Sequence, residues 1–340
     1  LMPLPQLFTT IFLINGLVSL SVIFHSSTHK NFNIVTATSN MLTPIIFVVL
    51  CSPISGNLIK YEVTFLDPEL KENLSGNVIS VDNNIFKVTV LENLPELRNG
   101  MLNITDLHYL TVNNVNLQYM ETGVFDNQNI SHISIAGNKL TKIQSRIFDS
   151  LSTETLNLSE NQIDFIEEGA FRNMLKLCHL ILSRNKLTRI SSSYFDNTPN
   201  IIVFDISFNQ ITKIEEGCFS FLAEDYLIIT IGNNAVEEIH PRGFENLNIT
   251  ELVLSHNLIR NVPEELVTRN KITILQLDYN QIRDFPDTFY AEMNSTIEAL
   301  MISFNPLKCQ VVEKIMEFSE KVIGPFCFSD EDCFETCQEN

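Results

Sequence analysis

The strongest constraint on the fold is a short phrase that repeats along most of the chain. Its clearest copy is Leu180-Ile181-Leu182-Ser183-Arg184-Asn185-Lys186-Leu187-Thr188-Arg189-Ile190, in which two alternating leucines precede an asparagine. The asparagine recurs every 23 to 25 residues, at Asn138, Asn161, Asn185, Asn209, Asn234, Asn257, Asn280 and Asn305. A period of this length predicts a solenoid, in which each repeat buries its apolar face against the next.

The spacing within the phrase indicates what each residue does. Leu180 and Leu182 alternate as in a short strand, which sends both side chains to one face and His179 and Ile181 to the other. Asn185 follows where the chain leaves the strand. Its amide both donates and accepts hydrogen bonds, so we expect the asparagines to form a ladder that satisfies buried backbone groups of neighbouring turns.

Further columns of apolar residues follow from the same period. An apolar residue recurs eight positions before most asparagines, for example at Ile201, Tyr226 and Ile249. About ten residues after the asparagine position comes a phenylalanine, at Phe125, Phe148, Phe171, Phe195, Phe219 and Phe244. The chain is therefore expected to be an α/β solenoid with a parallel concave β-sheet and an irregular or short-helical convex side.

The charge of the chain disfavours two classes of partner. Forty-one acidic residues oppose 22 basic ones, for a formal net charge of -19. Nearly all of this charge follows residue 56, since residues 1–56 hold no acidic residue and only Lys30. Because such a surface repels phosphate, we expect no nucleic-acid partner and no binding to anionic lipid.

Composition divides the chain into four expected segments. Residues 1–56 are interpreted as a leader or signal region absent from the mature protein, with Met41 as the expected start, an apolar run over 42–51 and cleavage near Gly56. The alternative is a signal anchor over 7–24, which would hold the chain at a membrane. The other expected segments are an N-terminal cap without cysteines at 57–109, the repeats at 110–307, and a cysteine-containing C-terminal cap at 308–340.

The C-terminal segment carries two separate signals. Val311, Ile315, Phe318 and Val322 form one stripe of an amphipathic helix that would cover the end of the apolar core. The four cysteines of this segment predict two disulfides whose connectivity stays open among three choices: Cys309, Cys327, Cys333 and Cys337. Cys218, within the repeats, is expected to be a buried thiol.

The repeats carry a family resemblance. The sequence from Leu110 to Leu307 resembles the typical 24-residue class of extracellular leucine-rich repeats, and Asn305-Pro306-Leu307-Lys308-Cys309 resembles the start of a cysteine-capped C-terminal flank. Similar proteins include Toll-type receptor ectodomains, secreted leucine-rich immune proteins of insects, and neuronal or adhesive repeat proteins. The resemblance implies a horseshoe that is secreted or displayed at the cell surface. Its concave face would bind a protein or a microbial surface ligand, in innate immunity or in adhesion.

Glycosylation sequons agree with an exported chain. Six Asn-x-Ser/Thr motifs occur, at Asn73, Asn103, Asn129, Asn157, Asn248 and Asn294. Three of them, Asn129, Asn248 and Asn294, lie fourteen residues after the ladder position of their repeat, which predicts one shared loop edge. Asn157 instead belongs to the expected concave face, where a glycan would obstruct part of the sheet.

Aromatic residues indicate where a ligand would bind. On the expected concave face, the column between the two leucines and the column just before the asparagine concentrate large side chains in the C-terminal half, and aromatic residues are enriched at binding hot spots. The alternative is that Phe208 and Phe304 simply pack on neighbouring strands. The predicted ligand-binding patch consists of Phe208, His256, Tyr279, Met301 and Phe304.

No catalytic constellation or metal site is expected. His132 and His179 share a column but lie two repeats apart, about 10 Å at strand spacing, which is too far to share a metal. We therefore expect no enzyme and no cofactor. The first hypothesis is a recognition module, and homo- or heterodimers are compatible with it. The second is a matrix or adhesion scaffold or a receptor ectodomain fragment, and the third is an intracellular regulator with reduced cysteines and unmodified sequons.

Overall fold

The computed structural model describes residues 8–14, 17–23, 86–90, 93–99, 102, 107–293, 295–317 and 319–323. The chain divides into two units, Leu1–Ser55 and Gly56–Asn340. Predictions about Asn73, Asn103, Asn294, Phe318 and the three last cysteines lie outside the described residues. Within the described residues, no helix is both long enough and apolar enough to cross a bilayer.

In the first unit, the apolar run 7–24 contains two antiparallel strands, β1 (Phe8–Ile14) and β2 (Leu17–Ile23). The leader interpretation of residues 1–56 and the signal-anchor alternative for 7–24 stay predictions. Ile14 pairs with Leu17, and the residues between them are Asn15 and Gly16. Asn-Gly between two apolar runs is a strong signal for a two-residue hairpin.

The second unit is built on one parallel sheet of ten strands. Each strand pairs with the strand of the preceding and the following repeat, so spatial order follows chain order. The strands are β3 (Phe86–Thr89), β5 (Leu107–Thr111), β7 (His132–Ser134), β9 (Thr155–Asn157), β11 (His179–Ile181), β12 (Val203–Asp205), β14 (Leu227–Thr230), β16 (Asn248–Val253), β17 (Lys271–Gln276) and β18 (Ala299–Met301). The predicted parallel concave sheet is confirmed, and it begins with β3, inside the segment 57–109.

The ladder asparagines join consecutive turns of this sheet through hydrogen bonds. The side-chain amide of Asn185 donates to the carbonyl of Leu158 in the preceding turn at 3.0 Å, and its Oδ1 accepts the N–H of Ile163 at 2.9 Å. It also donates to Leu182 in its own turn. The same donor and acceptor pattern toward the preceding turn holds for all eight asparagines, from Asn138 to Asn305.

Short elements form the convex side, as the sequence predicts. Pairs of two-residue parallel strands run along it: β4 (Glu96–Leu97) with β6 (Tyr119–Met120), β8 (Lys142–Ile143) with β10 (Phe165–Ile166), and β13 (Lys213–Ile214) with β15 (Glu238–Ile239). Two short helices follow in later repeats, α1 (Glu265–Thr268) and α2 (Asp287–Met293), and 3-10 turns occur at Ser192–Tyr194 and Ser319–Lys321. These elements close the core behind the sheet.

A column of phenylalanine rings fills the core on this side. Phe125, Phe148, Phe171 and Phe195 stack in order, with centroids 5.3 to 6.0 Å apart. The column then changes: Phe195 stacks on Phe221 at 3.8 Å, while Phe219 stacks on Phe244 at 4.6 Å. The predicted positions are thus buried, and Phe221 supplies an additional ring that the period does not indicate.

The repeat between Asn209 and Asn234 is longer than its neighbours and departs from the predicted columns. Tyr226 was expected to be buried with Ile201 and Ile249, but its side chain is 73% exposed. Leu227 is buried in its place and pairs with Ile249 of β16. The register then shifts, so that Ile228 pairs with Glu251 and Thr250 of β16 has no paired residue in β14.

The C-terminal end of the core is covered by helix and by backbone pairing. Helix α3 (Cys309–Met316) buries Val311, Val312 and Ile315. It ends before Val322, which the sequence assigned to the same helical stripe. Val322 instead bridges to Leu300 of β18, and Ile323 donates its N–H to the Leu300 carbonyl at 2.9 Å. The end strand of a sheet has unpaired backbone groups, and this segment satisfies some of them.

The cysteines of the second unit occupy different environments. Cys309, at the start of α3, is disulfide-bonded. Cys218 is a buried thiol, and burial raises its pKa to about 12. Cys178 is half-buried. The thiol of Cys218 is therefore protonated and unreactive at neutral pH.

Candidate functional site

The concave face contains one column of residues with an unusual backbone conformation. The residue just before each ladder position has a positive φ, between 53° and 67°. We call these residues the left-handed column: Asn114, Gly137, Glu160, Arg184, Phe208, Asn233, His256, Tyr279 and Phe304. The chain turns off the strand at this point, so the same conformation recurs in every repeat.

Positive φ is easy for some members of the column and costly for others. Gly137, Asn114 and Asn233 are residue types that adopt this conformation readily. Phe208, Tyr279 and Phe304 are bulky, and a non-glycine residue held in this region costs on the order of 1–3 kcal/mol. Aromatic residues here oppose the local backbone preference, and such strain is often found at binding sites.

Three rings of the column form a continuous stack. His256 lies on Tyr279 and Tyr279 lies on Phe304, each with centroids 4.2 Å apart and planes within 13° of parallel. His256 is exposed, Tyr279 is 42% exposed and Phe304 is half-buried. The rings therefore present their edges to solvent and their faces to one another. Phe304 thus packs on a ring of the neighbouring repeat, as the alternative interpretation expected, and the stack still leaves aromatic surface accessible to a ligand.

Phe208 lies in the same column but outside this stack. The guanidinium of Arg184 lies over its ring, 4.1 Å from the centroid, and the ring is 40% exposed. Asn233 separates Phe208 from His256. The aromatic surface is thus made of two parts, the Arg184–Phe208 pair and the three-ring stack.

Two half-buried carboxylates lie on the strands and turns that carry the stack. Glu251 accepts a hydrogen bond from Gln276 Nε2 at 2.6 Å, and burial raises the pKa of its carboxyl. Asp278 accepts the backbone N–H of Ser303 at 2.8 Å. Burial also raises the pKa of Asp278, although its hydrogen bonds act in the opposite direction. Met301, the remaining residue of the predicted patch, is half-buried on β18. The C-terminal half of the face is therefore aromatic and acidic.

The N-terminal half of the concave face is different. Tyr109 and His132 stack at 4.5 Å, and Thr155 Oγ1 lies 3.3 Å from His179 Nδ1. Burial lowers the pKa of both histidines. Thr155 separates them in the sheet register. Among the residues described, no group of three potential metal ligands comes together.

The described sequons differ in accessibility. Asn129 is exposed, and Asn248 is half-buried with its amide donating to Asp225 at 3.0 Å. Asn157 is only 8% exposed, and its Oδ1 accepts the backbone N–H of Ser159. Asn129 and Asn248 are thus the more accessible acceptors in the folded chain.

Sequence reasoning missed three features of this surface. It did not identify the left-handed backbone, the stacking of Arg184, or the half-buried carboxylates Glu251 and Asp278. A signal for the backbone was present, because Gly137, Asn114 and Asn233 fall in the same column as the aromatic residues and are typical of positive φ. The carboxylates gave no comparable signal, since acidic residues on a strand are normally solvated.

Comparisons with known proteins agree with this fold. A chain of the mouse RP105/MD-1 complex is 20% identical, with a TM-score of 0.59 over 69% of this chain and 42% of that chain. A chain of the Toll–Spatzle complex of Drosophila is 16% identical, with a TM-score of 0.57 over 70% of this chain and 32% of that chain. This chain thus spans well under half of each solved chain. No curated protein sequence matches it.

A family profile matches the sequence itself. The profile described as "BspA type Leucine rich repeat region" occurs in six copies, over residues 71–165, 97–224 and 141–273. Together these matches extend from residue 71 to residue 273, more than half of the 340 residues. The asparagine ladder and the parallel sheet lie largely within this span. The chain belongs to the BspA-type leucine-rich repeat family.

Proposed function

We propose that this protein is an extracellular leucine-rich repeat binding protein that recognises a protein ligand through the C-terminal half of its concave face. One observation carries the proposal: bulky rings occupy backbone positions that disfavour them, and they form an exposed stack from His256 to Phe304. Exposed aromatic rings at fixed positions are typical of binding hot spots, and a rigid sheet holds them in place. Phe208 and Met301 extend the same patch.

Two further observations support an extracellular binding role. Solved chains with this fold come from complexes with protein partners, MD-1 for RP105 and Spatzle for Toll. The disulfide at Cys309 and the exposed sequon at Asn129 suit an oxidising, glycosylating compartment. The Toll–Spatzle complex acts in development and innate immunity in Drosophila. As part of the proposal, we infer a role in innate immunity for the present chain, with a protein or a microbial surface as its ligand.

The inferred role is binding and not catalysis. The family supplies a scaffold, and the described titratable groups serve structural contacts. The carboxylates Glu251 and Asp278 accept hydrogen bonds from neighbouring turns, and His179 lies against Thr155. None of these contacts links a nucleophile to a base.

The test compares a concave variant with a matched convex control. Wild-type chain, the double variant Tyr279→Asn/Phe304→Asn and Phe165→Asn are immobilised and exposed to extracellular fluid from the source. Phe165 is 53% exposed on the convex strand β10, so its substitution removes an equally accessible ring elsewhere. Proteins retained by the wild type are then purified, and their affinities for the three chains are measured by calorimetry.

We expect at least one such protein to bind the double variant at least tenfold more weakly, because central aromatic hot spots each contribute about 2 kcal/mol or more. Its affinity for Phe165→Asn should stay within about twofold of the wild type. Equal affinity of every retained protein for the wild type and the double variant would contradict the proposal.

A further inference from the structure

Tyr226 is an aromatic residue in an unfavourable position. Its side chain is 73% exposed, the largest exposed fraction among the large apolar side chains that the structure describes. Its φ is 68°, in a backbone region that is costly for a bulky residue. The ring thus adds little to the core and sits on a strained backbone, which is a reason to look for a group that it contacts outside the core.

The strand register places Tyr226 beside a glycosylation sequon. Leu227 of β14 pairs with Ile249 of β16, so the residues that precede them, Tyr226 and Asn248, fall opposite each other. Asn248 is the acceptor residue of the sequon Asn248-Ile249-Thr250. Without the register shift that follows Leu227, Tyr226 would itself lie opposite the buried Ile249. The bulge therefore moves the aromatic ring from a core position to the neighbourhood of Asn248.

The Asn248 side chain is held toward the turn that contains Tyr226. Its Nδ2 donates a hydrogen bond to the Asp225 Oδ1 at 3.0 Å, and Asp225 directly precedes Tyr226 in the chain. On the other side, Asn248 pairs with Lys271 of β17. The atom that would carry a sugar is thus fixed on the side of the aromatic residue.

We propose that an N-linked glycan on Asn248 docks on Tyr226, with its innermost N-acetylglucosamine against the phenol ring. The glycan comes from a lipid-linked pyrophosphate: the bond from sugar C1 to Nδ2 forms, the C1–O bond to pyrophosphate breaks, and one Nδ2 proton leaves to a base of the transferase. The second Nδ2 proton stays, so the hydrogen bond to Asp225 can persist and orient the sugar. This inference rests on the proposed function, because it requires an extracellular, glycosylated chain.

The chemistry of the two rings is complementary. One face of a β-linked N-acetylglucosamine presents only C–H groups, which carry partial positive charge, and the face of an aromatic ring carries partial negative charge. The sugar has no formal charge, so the Asp225 carboxylate does not repel it. Tyr226 and Asn248 lie where the strands begin, whereas the left-handed column follows the ends of the strands. A glycan docked on Tyr226 therefore leaves the aromatic stack free for a ligand.

The test uses the full chain secreted from a glycosylating host that supplies ¹³C-labelled sugars. The glycans are trimmed enzymatically to one N-acetylglucosamine per occupied sequon, and mass spectrometry gives the occupancy of Asn248. NMR then compares the C–H signals of this sugar in the wild type, in Tyr226→Ser and in Tyr226→Phe. Thr250→Ala removes the sequon but keeps the Asn248 amide, so the signals it deletes are those of the Asn248 sugar.

The matched control is the exposed sequon at Asn129, which also lies before its strand. Asn129→Gln identifies the signals of its sugar. These signals should be the same in the wild type and in Tyr226→Ser, because the substituted ring is several repeats away. A change in them would indicate a general effect of the substitution on the fold and would overturn the assignment of the effect to Asn248.

We expect the C–H signals from one face of the Asn248 sugar to be displaced upfield in the wild type and in Tyr226→Phe, since an aromatic ring shields groups held over its face. In Tyr226→Ser they should coincide with those of the Asn129 sugar. Thr250→Ala should also lower the melting temperature by about 2 °C more in the wild-type background than in Tyr226→Ser.

Three outcomes overturn the inference alone: sugar signals at Asn248 that are unaffected by Tyr226→Ser, equal effects of Thr250→Ala in the two backgrounds, or an empty Asn248 in a chain that is glycosylated at Asn129. A secreted chain without a glycan at any sequon overturns it together with the glycosylation predictions. Failure of the proposed function is distinguishable, because its test measures ligand affinity in variants of Tyr279 and Phe304 and leaves Tyr226 and Asn248 unchanged.

Discussion

Tyr279 and Phe304 stack with ring centroids 4.2 Å apart although both residues have positive φ, 53° and 58°. The two effects oppose each other energetically. A stacked pair contributes about 0.5–1.5 kcal/mol beyond burial, and a strained backbone costs on the order of 1–3 kcal/mol. The rings therefore add little net stability to the fold, which is the pattern expected of side chains that serve a ligand.

The first prediction follows from this balance. Tyr279→Asn should change the free energy of unfolding by no more than about 1 kcal/mol, because asparagine relieves the backbone while the stack is lost. Tyr279→Ala is the matched control and should be more destabilising, since alanine loses the stack and keeps the strain. Urea unfolding followed by circular dichroism measures both. Equal destabilisation of the two variants would contradict the prediction and would mean that the rings mainly stabilise the fold.

The second prediction concerns the asparagine ladder. Asn185→Ala should lower the free energy of unfolding by about 1–3 kcal/mol, because it leaves the buried Ile163 N–H without its acceptor, whereas the Leu158 carbonyl keeps the Asn161 amide as a donor. The neighbouring exposed Lys186→Ala should cost less than about 0.5 kcal/mol. Equal costs for the two variants, measured by chemical denaturation, would show that the buried amide is dispensable.

The third prediction concerns the phenylalanine column. Phe195 is packed between Phe171 and Phe221, so Phe195→Ala should cost about 3–5 kcal/mol. Phe165 is exposed, and its only described ring contact is with the Lys142 ammonium at 5.5 Å. Phe165→Ala should therefore cost about 1 kcal/mol or less. A similar loss for the two variants in thermal unfolding would contradict the assignment of Phe195 to the core.

The fourth prediction is a pH dependence of stability. Burial lowers the pKa of His179 below its ordinary value of 6.5, so the unfolded chain binds the proton more readily. The stability that neutral His179 contributes to the folded chain is fully present above this ordinary pKa. It is lost as the pH falls through the lower pKa of the folded state. The melting temperature should therefore drop on acidification from neutral pH. In His179→Asn, which keeps a polar atom near Thr155, the drop should be smaller.

The raised pKa of the half-buried Glu251 carboxyl acts in the opposite direction, since its protonation favours the folded state. It affects the wild type and the His179 variant alike, so the difference between their melting curves isolates the histidine. Parallel curves from neutral to mildly acidic pH would contradict the prediction.

The fifth prediction concerns processing. Mass spectrometry of the secreted product should find a mature N-terminus near residue 57, a glycan on Asn129, and Cys218 as a thiol. Cys309 should be in a disulfide, and peptide mapping would identify its partner among the three connectivities that the sequence leaves open. A mature chain that begins before Met41 and has only free thiols would contradict the extracellular assignment.

The periodic features of the fold were predictable because each depends on a particular residue type at a fixed spacing. Asn185 must both donate and accept between turns, and Leu180 must be buried, so each tolerates few alternatives. The left-handed column was not predictable in the same way, because Phe208 and Tyr279 disfavour the backbone they adopt. The pairing of β1 with β2 was not predicted, although Asn-Gly between two apolar runs is a typical hairpin signal. The position of Tyr226 depended on a register shift that the repeat period does not encode.

The hydrogen bonds of the ladder give the solenoid a direction. Each asparagine amide serves the turn before it, as Asn305 does for Ile282 and Leu277, and within the described repeats no ladder side chain serves the turn after it. Removing the turn that contains Asn305 leaves the buried N–H of Ile282 without its acceptor, and a backbone group cannot rotate toward water. Removing the turn that contains Val112 and Val115 takes the backbone partners of the Asn138 amide, but that side chain can rotate toward water. The backbone hydrogen bonds of the sheet are lost in both cases. In ladder hydrogen bonds, fraying from the C-terminal end therefore costs more than fraying from the N-terminal end. Helix α3 and the bridging residue Val322, which follow Pro306, cover the C-terminal end of the sheet.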